Sequence, residues 1–484
     1  MISSSKGKIS TIVSRMSFDS SKFRIFFLID LFFFSVVFCD VLARAIHVIL
    51  MIWGGIILIN NYFIKGIYKR VCYYKILLLF IASCLFTILL HFKDNLLYNL
   101  LYIFTYLLCF FVFYGMFSEK GIKDIEEEMF KLFKLLVILV TIISFIGLVF
   151  TAIKIQMKAF NHYWLGIYEN RLVGVYTNSN LLALFCVLSI IGTHILIDSD
   201  DFKKQSNKKR ALIAYIFSMV VNTISLILSD SNGAFIFLLI YLIVILFYKL
   251  FSKQNEISIK IIVKNVSVIL LAGFCLIAGS FKIRGICQDD IAVLINDMHK
   301  VEEPIHDNKM DIIDKSKDNS QDTENSVADS VEIGRVIGEN NYDGSSGRVT
   351  LIKQSVVMFK KSPVIGIGIA NIPDYGKIYI EGGLKFPNFH NGYITILVAW
   401  GLVGFAIFFT FAVTIAARFG KVLFKINDSQ NTPFPKLFSF LVAYSVYSLV
   451  EITILSDITF TIFIFWAVLG YALSYVLNYE GKLE

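Results

Sequence analysis

Long apolar runs separated by short polar breaks dominate the chain. Twelve of them approach the ~20 residues that a bilayer-spanning helix needs. They lie near 24–42, 45–64, 75–91, 99–117, 134–153, 178–198, 211–229, 233–251, 261–280, 391–416, 437–453 and 459–477. The pattern predicts an all-α polytopic membrane protein with about 12 transmembrane helices. No small-residue cleavage site follows the first run, and a second run comes at once, so the first reads as a retained helix.

Lys and Arg in the breaks orient this set. With the N-terminus inside, the inner segments carry 27 of them, grouped at 6–24, 65–75, 120–134, 203–210, 249–264 and 418–436, with Lys482 beyond. The short outer loops carry five: Arg44, Lys93, Lys154, Lys158 and Arg171. The asymmetry puts both termini in the cytoplasm and favours an even number of spans.

One break is different. Residues 281–389 form a large extracytoplasmic loop between helices 1–9 (1–280) and helices 10–12 (390–484). The stretch 285–347 holds 15 Asp and Glu against 5 Lys and Arg. Its middle, about 299–346, reads as an acidic disordered insert. Beyond it, Val349, Ile352, Val356, Val357 and Phe359 recur at helical spacing and predict an amphipathic helix over about 347–361. Pro363 and Gly366-Ile367-Gly368 end that helix in a turn.

Composition narrows the class. Of 484 residues 56% are hydrophobic and 17% charged, and the net charge is +8. Charge this sparse excludes a disordered chain and an ordinary soluble enzyme. The basic excess sits at the membrane and implies no nucleic-acid partner. Seven scattered Cys without a CxxC pair, and seven His without ligand spacing, offer no zinc site or disulfide framework. No metal or other cofactor is expected.

Three outer-face residues can carry chemistry. Arg171, in RLVGVYTNSN, can grip a phosphate with two donors or can snorkel at the interface. Asn178 and Asn180 beside it can bond sugar hydroxyls or cap a helix. Arg348 opens the amphipathic helix, where a guanidinium plus a helix N-terminus suits an anion; a solvent-exposed charge is the other reading. His390, next to Asn391, stands at the mouth of span ten. It can take a proton near neutral pH or simply mark the helix boundary. The acids Asp30, Asp40, Glu451 and Asp457 read as structural pairing rather than a proton relay.

Together these pieces resemble the bacterial O-antigen ligase and oligosaccharide-repeat-unit polymerase superfamily. The resemblance rests on Arg171, Gly174 and Asn180 before a middle span. It continues in Gly347-Arg348 with Pro363, Gly366 and Gly368, and in His390-Asn391 with Gly401 and Gly404. It covers roughly 170–405. One departure is Ser231-Asn232-Gly233, where the family commonly has Ser-Arg-Gly.

The resemblance implies a glycosyltransferase-C-like architecture in the bacterial cytoplasmic membrane. It also implies a metal-independent glycosyltransferase with an undecaprenyl-pyrophosphate-linked glycan donor and a glycan or lipid-linked acceptor. His390 would be the catalytic base, Arg171 and Arg348 the pyrophosphate clamp, and Asn180 and Asn391 supporting residues. The expected reaction is polymerisation of repeat units for capsule or O-antigen, with a flippase and a chain-length regulator as partners. Ligation of glycan to lipid A-core is an alternative with the same active-site residues. Transport of a lipid-linked glycan is a second alternative, disfavoured because no paired halves with broken helices are visible.

Overall fold

The computed structural model describes residues 19–160, 163–197, 207–252, 347–384, 386, 388–423, 425, 432–455 and 458–482, with isolated positions at 267, 286, 288 and 291–293. The ninth predicted span (261–280, apart from position 267), the acidic insert (299–346) and Asp457 lie outside the described residues.

The described helices are α1 (Ser20–Phe33), α2 (Asp40–Ile57), α3 (Tyr74–Leu90), α4 (Leu96–Leu107), α5 (Ile122–Ala152), α6 (Ser179–Ile197), α7 (Lys208–Leu228) and α8 (Asn232–Ser252). They continue with α9 (Arg348–Phe359), α10 (Ile372–Tyr379), α11 (Gly392–Leu423), α12 (Phe434–Tyr447) and α13 (Phe460–Tyr479). Eight helical segments are long and apolar enough to cross a membrane, and α3 is a shorter apolar helix. The protein is an all-α polytopic membrane protein.

Two apolar runs end as helices earlier than their hydrophobicity suggests. α1 and α12 each have 14 residues, about 21 Å at 1.5 Å per residue. In the first run the chain leaves the helix at Phe34 because its backbone finds partners elsewhere. Val37 N–H donates to Val175 O (3.0 Å), and Ser35 O accepts from Thr177 N–H (2.9 Å). In the run 437–453 the carbonyls of 448–450 are likewise taken by other segments. Gly392 N–H bonds Ser448 O (2.8 Å), Asn391 Nδ2 bonds Leu449 O (2.8 Å), and Arg348 Nε bonds Val450 O (3.1 Å). Carbonyls at a helix end need such partners, and supplying them from outside frees 448–455 to be irregular.

α13 is the central helix. Its spanning window is wholly buried, with Phe463, Trp466 and Tyr471 among the fully enclosed side chains. Phe110 and Phe113, in the π-helical turn Leu108–Phe113 that continues α4, pack edge-on against Trp466 and Phe463. At the bundle end opposite the segment 448–455, Arg24 of α1 is fully buried. It donates from Nε and Nη2 to Glu128 of α5, both at 2.6 Å. Arg418 and Glu480 pair at the same end.

α11 contains a break. Gly401 has φ 63° and ψ −172°, outside any helix. The turn after α9 fills the gap. Leu402 and Val403 N–H donate to Pro363 and Val364 O (2.9 and 3.1 Å), while Ile367 and Gly368 N–H donate to Val398 and Ala399 O (3.2 and 2.9 Å). The carbonyls and amides that a regular helix would pair with each other are paired instead through this turn. Contact is too close for side chains: a Cβ on Gly366 would lie 2.3 Å from Ala399 O, and one on Gly401 2.3 Å from Val364 O.

α9 turns its predicted apolar stripe outward. Val349, Ile352, Val356 and Val357 are exposed, whereas Leu351, Ser355 and Met358 are buried. In a membrane-associated chain an apolar face can meet lipid, so an apolar stripe does not by itself mark the packed side. The segment after α5, expected as a plain loop, forms a three-stranded antiparallel sheet: β1 (Gln156–Ala159), β2 (Tyr163–Tyr168) and β3 (Arg171–Gly174). Its strands are too short for a period of two to stand out from the surrounding apolar sequence.

Candidate active site

The bundle end that carries the sheet also gathers the start of α6, the end of α7, the starts of α9 and α11, and the irregular segment after α12. Arg171 opens β3. Its Nε donates to Ser229 O at the end of α7 (2.8 Å), and its Nη2 donates to Asn180 Oδ1 in the first turn of α6 (2.7 Å). Asn178 caps that helix, its Oδ1 accepting from Leu181 N–H (2.9 Å). Of the Asn pair, Asn178 takes the expected cap, whereas Asn180 bonds Arg171 and Glu451.

Arg348 is the first residue of α9, after Gly347 in the left-handed region (φ 77°). Its Nε is spent on Val450 O, and its Nη2 donates to Glu451 Oε1 (3.2 Å). His390 precedes α11 with φ 45°, a left-handed backbone for a bulky residue. Its N–H donates to Asn388 Oδ1 (3.1 Å), and the ring of Phe386 meets its imidazole edge-on. Nδ1 of His390 lies 3.1 Å from Glu451 Oε2. Asn391 caps α11 by accepting from Ile394 N–H (2.9 Å) while its Nδ2 holds Leu449 O.

Glu451 is the hub. One oxygen accepts from Arg348 and from Asn180 Nδ2 (3.2 Å), and the other faces His390. Arg171, Arg348, His390, Asn180 and Glu451 therefore form one connected network, although the first and last are 280 positions apart in sequence. The structural pairing expected of Glu451 is present, and its partners are the three candidate residues or their support. Sequence reading gave Glu451 no special weight, because one acid at the end of an apolar run carries no local signal. Asn232, standing where the family commonly has Arg, begins α8 three residues after the Ser229 carbonyl that anchors Arg171.

The network is partly open. Arg348 and His390 side chains are each 29% exposed and Glu451 17%. The two guanidinium groups suit an anion, beside an imidazole suited to accept a proton. Two cavities flank it. One of about 270 Å³ is lined by Asn95, Tyr98, Tyr102, Asp374, Asn388 and Thr395, among others; there the hydrogen bond from Asn95 holds the Asp374 carboxyl below its usual range. The other, of about 520 Å³, includes Arg171 in its wall, with Trp164, Tyr168 and Glu169. The neighbouring Glu169 carboxylate pushes the Tyr168 phenol up from its ordinary value.

The motif glycines of 363–404 have a different task. Gly366 and Gly401 let the α9 turn lock into the α11 break, which fixes the start of α11 relative to α9. They hold His390 and Arg348 in register and do not reach the network themselves.

Comparison with known families adds one match. Residues 217–409 match the model of a family described as O-antigen ligase. No curated protein matches the chain. The matched segment holds Arg348 and His390, whereas Arg171, Asn180 and Glu451 fall outside it. The match supports what the motifs resemble, membership of the O-antigen ligase and polymerase superfamily.

Proposed function

We propose that the protein transfers a glycan from undecaprenyl pyrophosphate to a sugar hydroxyl, acting as a polymerase of lipid-linked repeat units for capsule or O-antigen. It works at the outer face of the bacterial cytoplasmic membrane, with both termini inside. The observation that carries this reading is the convergence of Arg171, Arg348 and His390 through Glu451 at one bundle end.

The donor lipid lies among the helices and its head group enters the network. Glu451 accepts a hydrogen bond from Nδ1–H of His390, which sets the tautomer and leaves Nε2 to act as base. The acceptor hydroxyl gives its proton to Nε2 as its oxygen attacks the anomeric carbon. A new C–O bond forms with inversion, the bond from the anomeric carbon to the phosphate oxygen breaks, and the pyrophosphate leaves with the electron pair. Charge grows on that leaving group, and Arg171 and Arg348 are fixed to meet it. Each is anchored through Nε by a backbone carbonyl, so little reorganisation is needed when charge develops.

His390→Ala in the native host tests this. Expected is loss of chain extension at unchanged protein level, and retained long chains would refute His390 as the base. Ligation to lipid A-core or another acceptor uses the same chemistry. Glycan profiling of a knockout separates the two: single repeat units on the acceptor mean a lost polymerase, and accumulated long lipid-linked chains mean a lost ligase. The flippase and chain-length regulator belong to the same reading as partners.

A further inference from the structure

β2 alternates in the manner of a two-sided strand. Leu165 and Ile167 are buried (2% and 6% exposed), facing the helices, and Trp164 and Tyr168 take the other face. Gly166 between them has φ 79°, and a Cβ there would sit 1.8 Å from Ile155 O. With no side chain at that position, the two aromatic rings close on each other, 5.0 Å between centroids and 17° from parallel. The strand register sets a cation opposite each ring: Lys158 pairs with Trp164 and Arg171 with Tyr168. Cross-strand partners share a face. The cavity of about 520 Å³ against this face is lined by all four of these side chains, with Glu169 and Asn178. Its size falls within the ~300–1,000 Å³ of small-molecule sites.

We propose that this sheet-built cavity is a sugar subsite, binding pyranose units of the glycan next to the pyrophosphate. The inference rests on the proposed function for the identity of the glycan. It stands on its own geometry for the chemistry. A pyranose has an apolar face of C–H groups ringed by hydroxyls. An aromatic platform covers the C–H face through dispersion and the ring quadrupole. Lys158 can donate to hydroxyl oxygens, and Glu169 and Asn178 can accept from hydroxyl hydrogens. Arg171 belongs both to this cavity and to the network at Glu451. A sugar held here is therefore continuous with a phosphate held there. An interfacial aromatic belt would need only lipid contact; a concave wall with charged groups of both signs suits a polyhydroxylated ligand better.

The test uses purified full-length protein in nanodiscs. The probe is a set of pyrophosphate-free oligosaccharides made by partial acid hydrolysis of the host's own surface polysaccharide. Saturation-transfer NMR is expected to show binding to the wild type, to His390→Ala and to Trp164→Phe. Binding should weaken about tenfold or more in Trp164→Ala and in Tyr168→Ala, a loss of about 1.4 kcal/mol. In chain-extension assays the same alanine variants should raise KM for the substrate whose sugar is held, with kcat within about threefold. A rise for the lipid-linked donor or for the acceptor identifies which one occupies the cavity. Wild-type binding by both alanine variants, at unchanged melting temperature, overturns the proposal. So does the absence of transfer to the wild type, which would leave the rings as a lipid-facing belt. Activity in His390→Ala would remove the base but not the subsite, so the two readings fail separately.

Discussion

Glu451→Gln keeps the size of the side chain and removes its charge. In the structure the carboxylate serves Arg348, Asn180 and His390 at 3.1–3.2 Å. An imidazolium formed during transfer would sit 3.1 Å from Glu451 Oε2, where Coulomb's law at an effective dielectric of 20 gives about 5 kcal/mol. Both groups are partly exposed, so water screens much of that. A hydrogen bond to a charged group is worth about 1.5–3 kcal/mol net. At about 1.4 kcal/mol per decade, kcat should fall roughly 10- to 150-fold. Glu451 acts through His390 as a positioning residue, so KM for donor and acceptor should move by no more than about threefold. Glu451→Asp, which keeps the charge on a shorter stem, should recover part of the loss. The assay is chain extension in nanodiscs with lipid-linked repeat units, read as product ladders. A kcat within about twofold of wild type, at unchanged melting temperature, would refute the coupling between Glu451 and His390.

Three further outcomes are expected. Arg348→Lys keeps the charge but cannot hold Val450 O and Glu451 with one planar fork; chain extension should drop about tenfold or more, and full activity would argue for a solvent-exposed charge. Gly401→Ala forces a Cβ to 2.3 Å from Val364 O at φ 63°, a strain of about 1–3 kcal/mol before the overlap is counted; a lower melting temperature in detergent should result, with reduced extension. Glu480, hydrogen-bonded by Arg418, has its carboxyl pulled down to about 2 from an ordinary value of 4.5. A depressed carboxylate stabilises the fold above its ordinary value and loses that contribution as pH falls toward the depressed one. The stability gap between wild type and Glu480→Gln should therefore be constant above about pH 5 and shrink from about pH 4.5 toward 2, followed by chemical denaturation.

Much of the helical plan is legible in the chain because burial in lipid demands long apolar runs. α3, α6, α8, α11 and α13 each start within two residues of a predicted boundary. Irregular ends were not legible. The runs at 24–42 and 437–453 stay apolar past the points where α1 and α12 stop. What ends them is hydrogen bonding by distant segments, such as Asn391 to Leu449 O. β1 to β3 hide for a related reason: Leu165 and Ile167 are as apolar as any helical residue, and only pairing with neighbouring strands makes them a sheet.

By itself the sequence determined that this is a polytopic α-helical membrane protein, and it singled out Arg171, Arg348 and His390 from short ordered motifs. Local spacing and residue chemistry suffice for both, since they depend on hydrophobicity and on which side chains can grip an anion or take a proton. Only the tertiary structure decided that these residues meet, and that they meet on Glu451. A carboxylate at the end of an apolar run becomes the centre of a network when three segments far apart in the chain bring donors to it. The structure also separated two kinds of motif residue. Gly366 and Gly401 serve the close approach of two backbones, whereas Arg348 and His390 project into the network that this approach holds in place. That division depends on three-dimensional distance, which spacing along a chain does not encode.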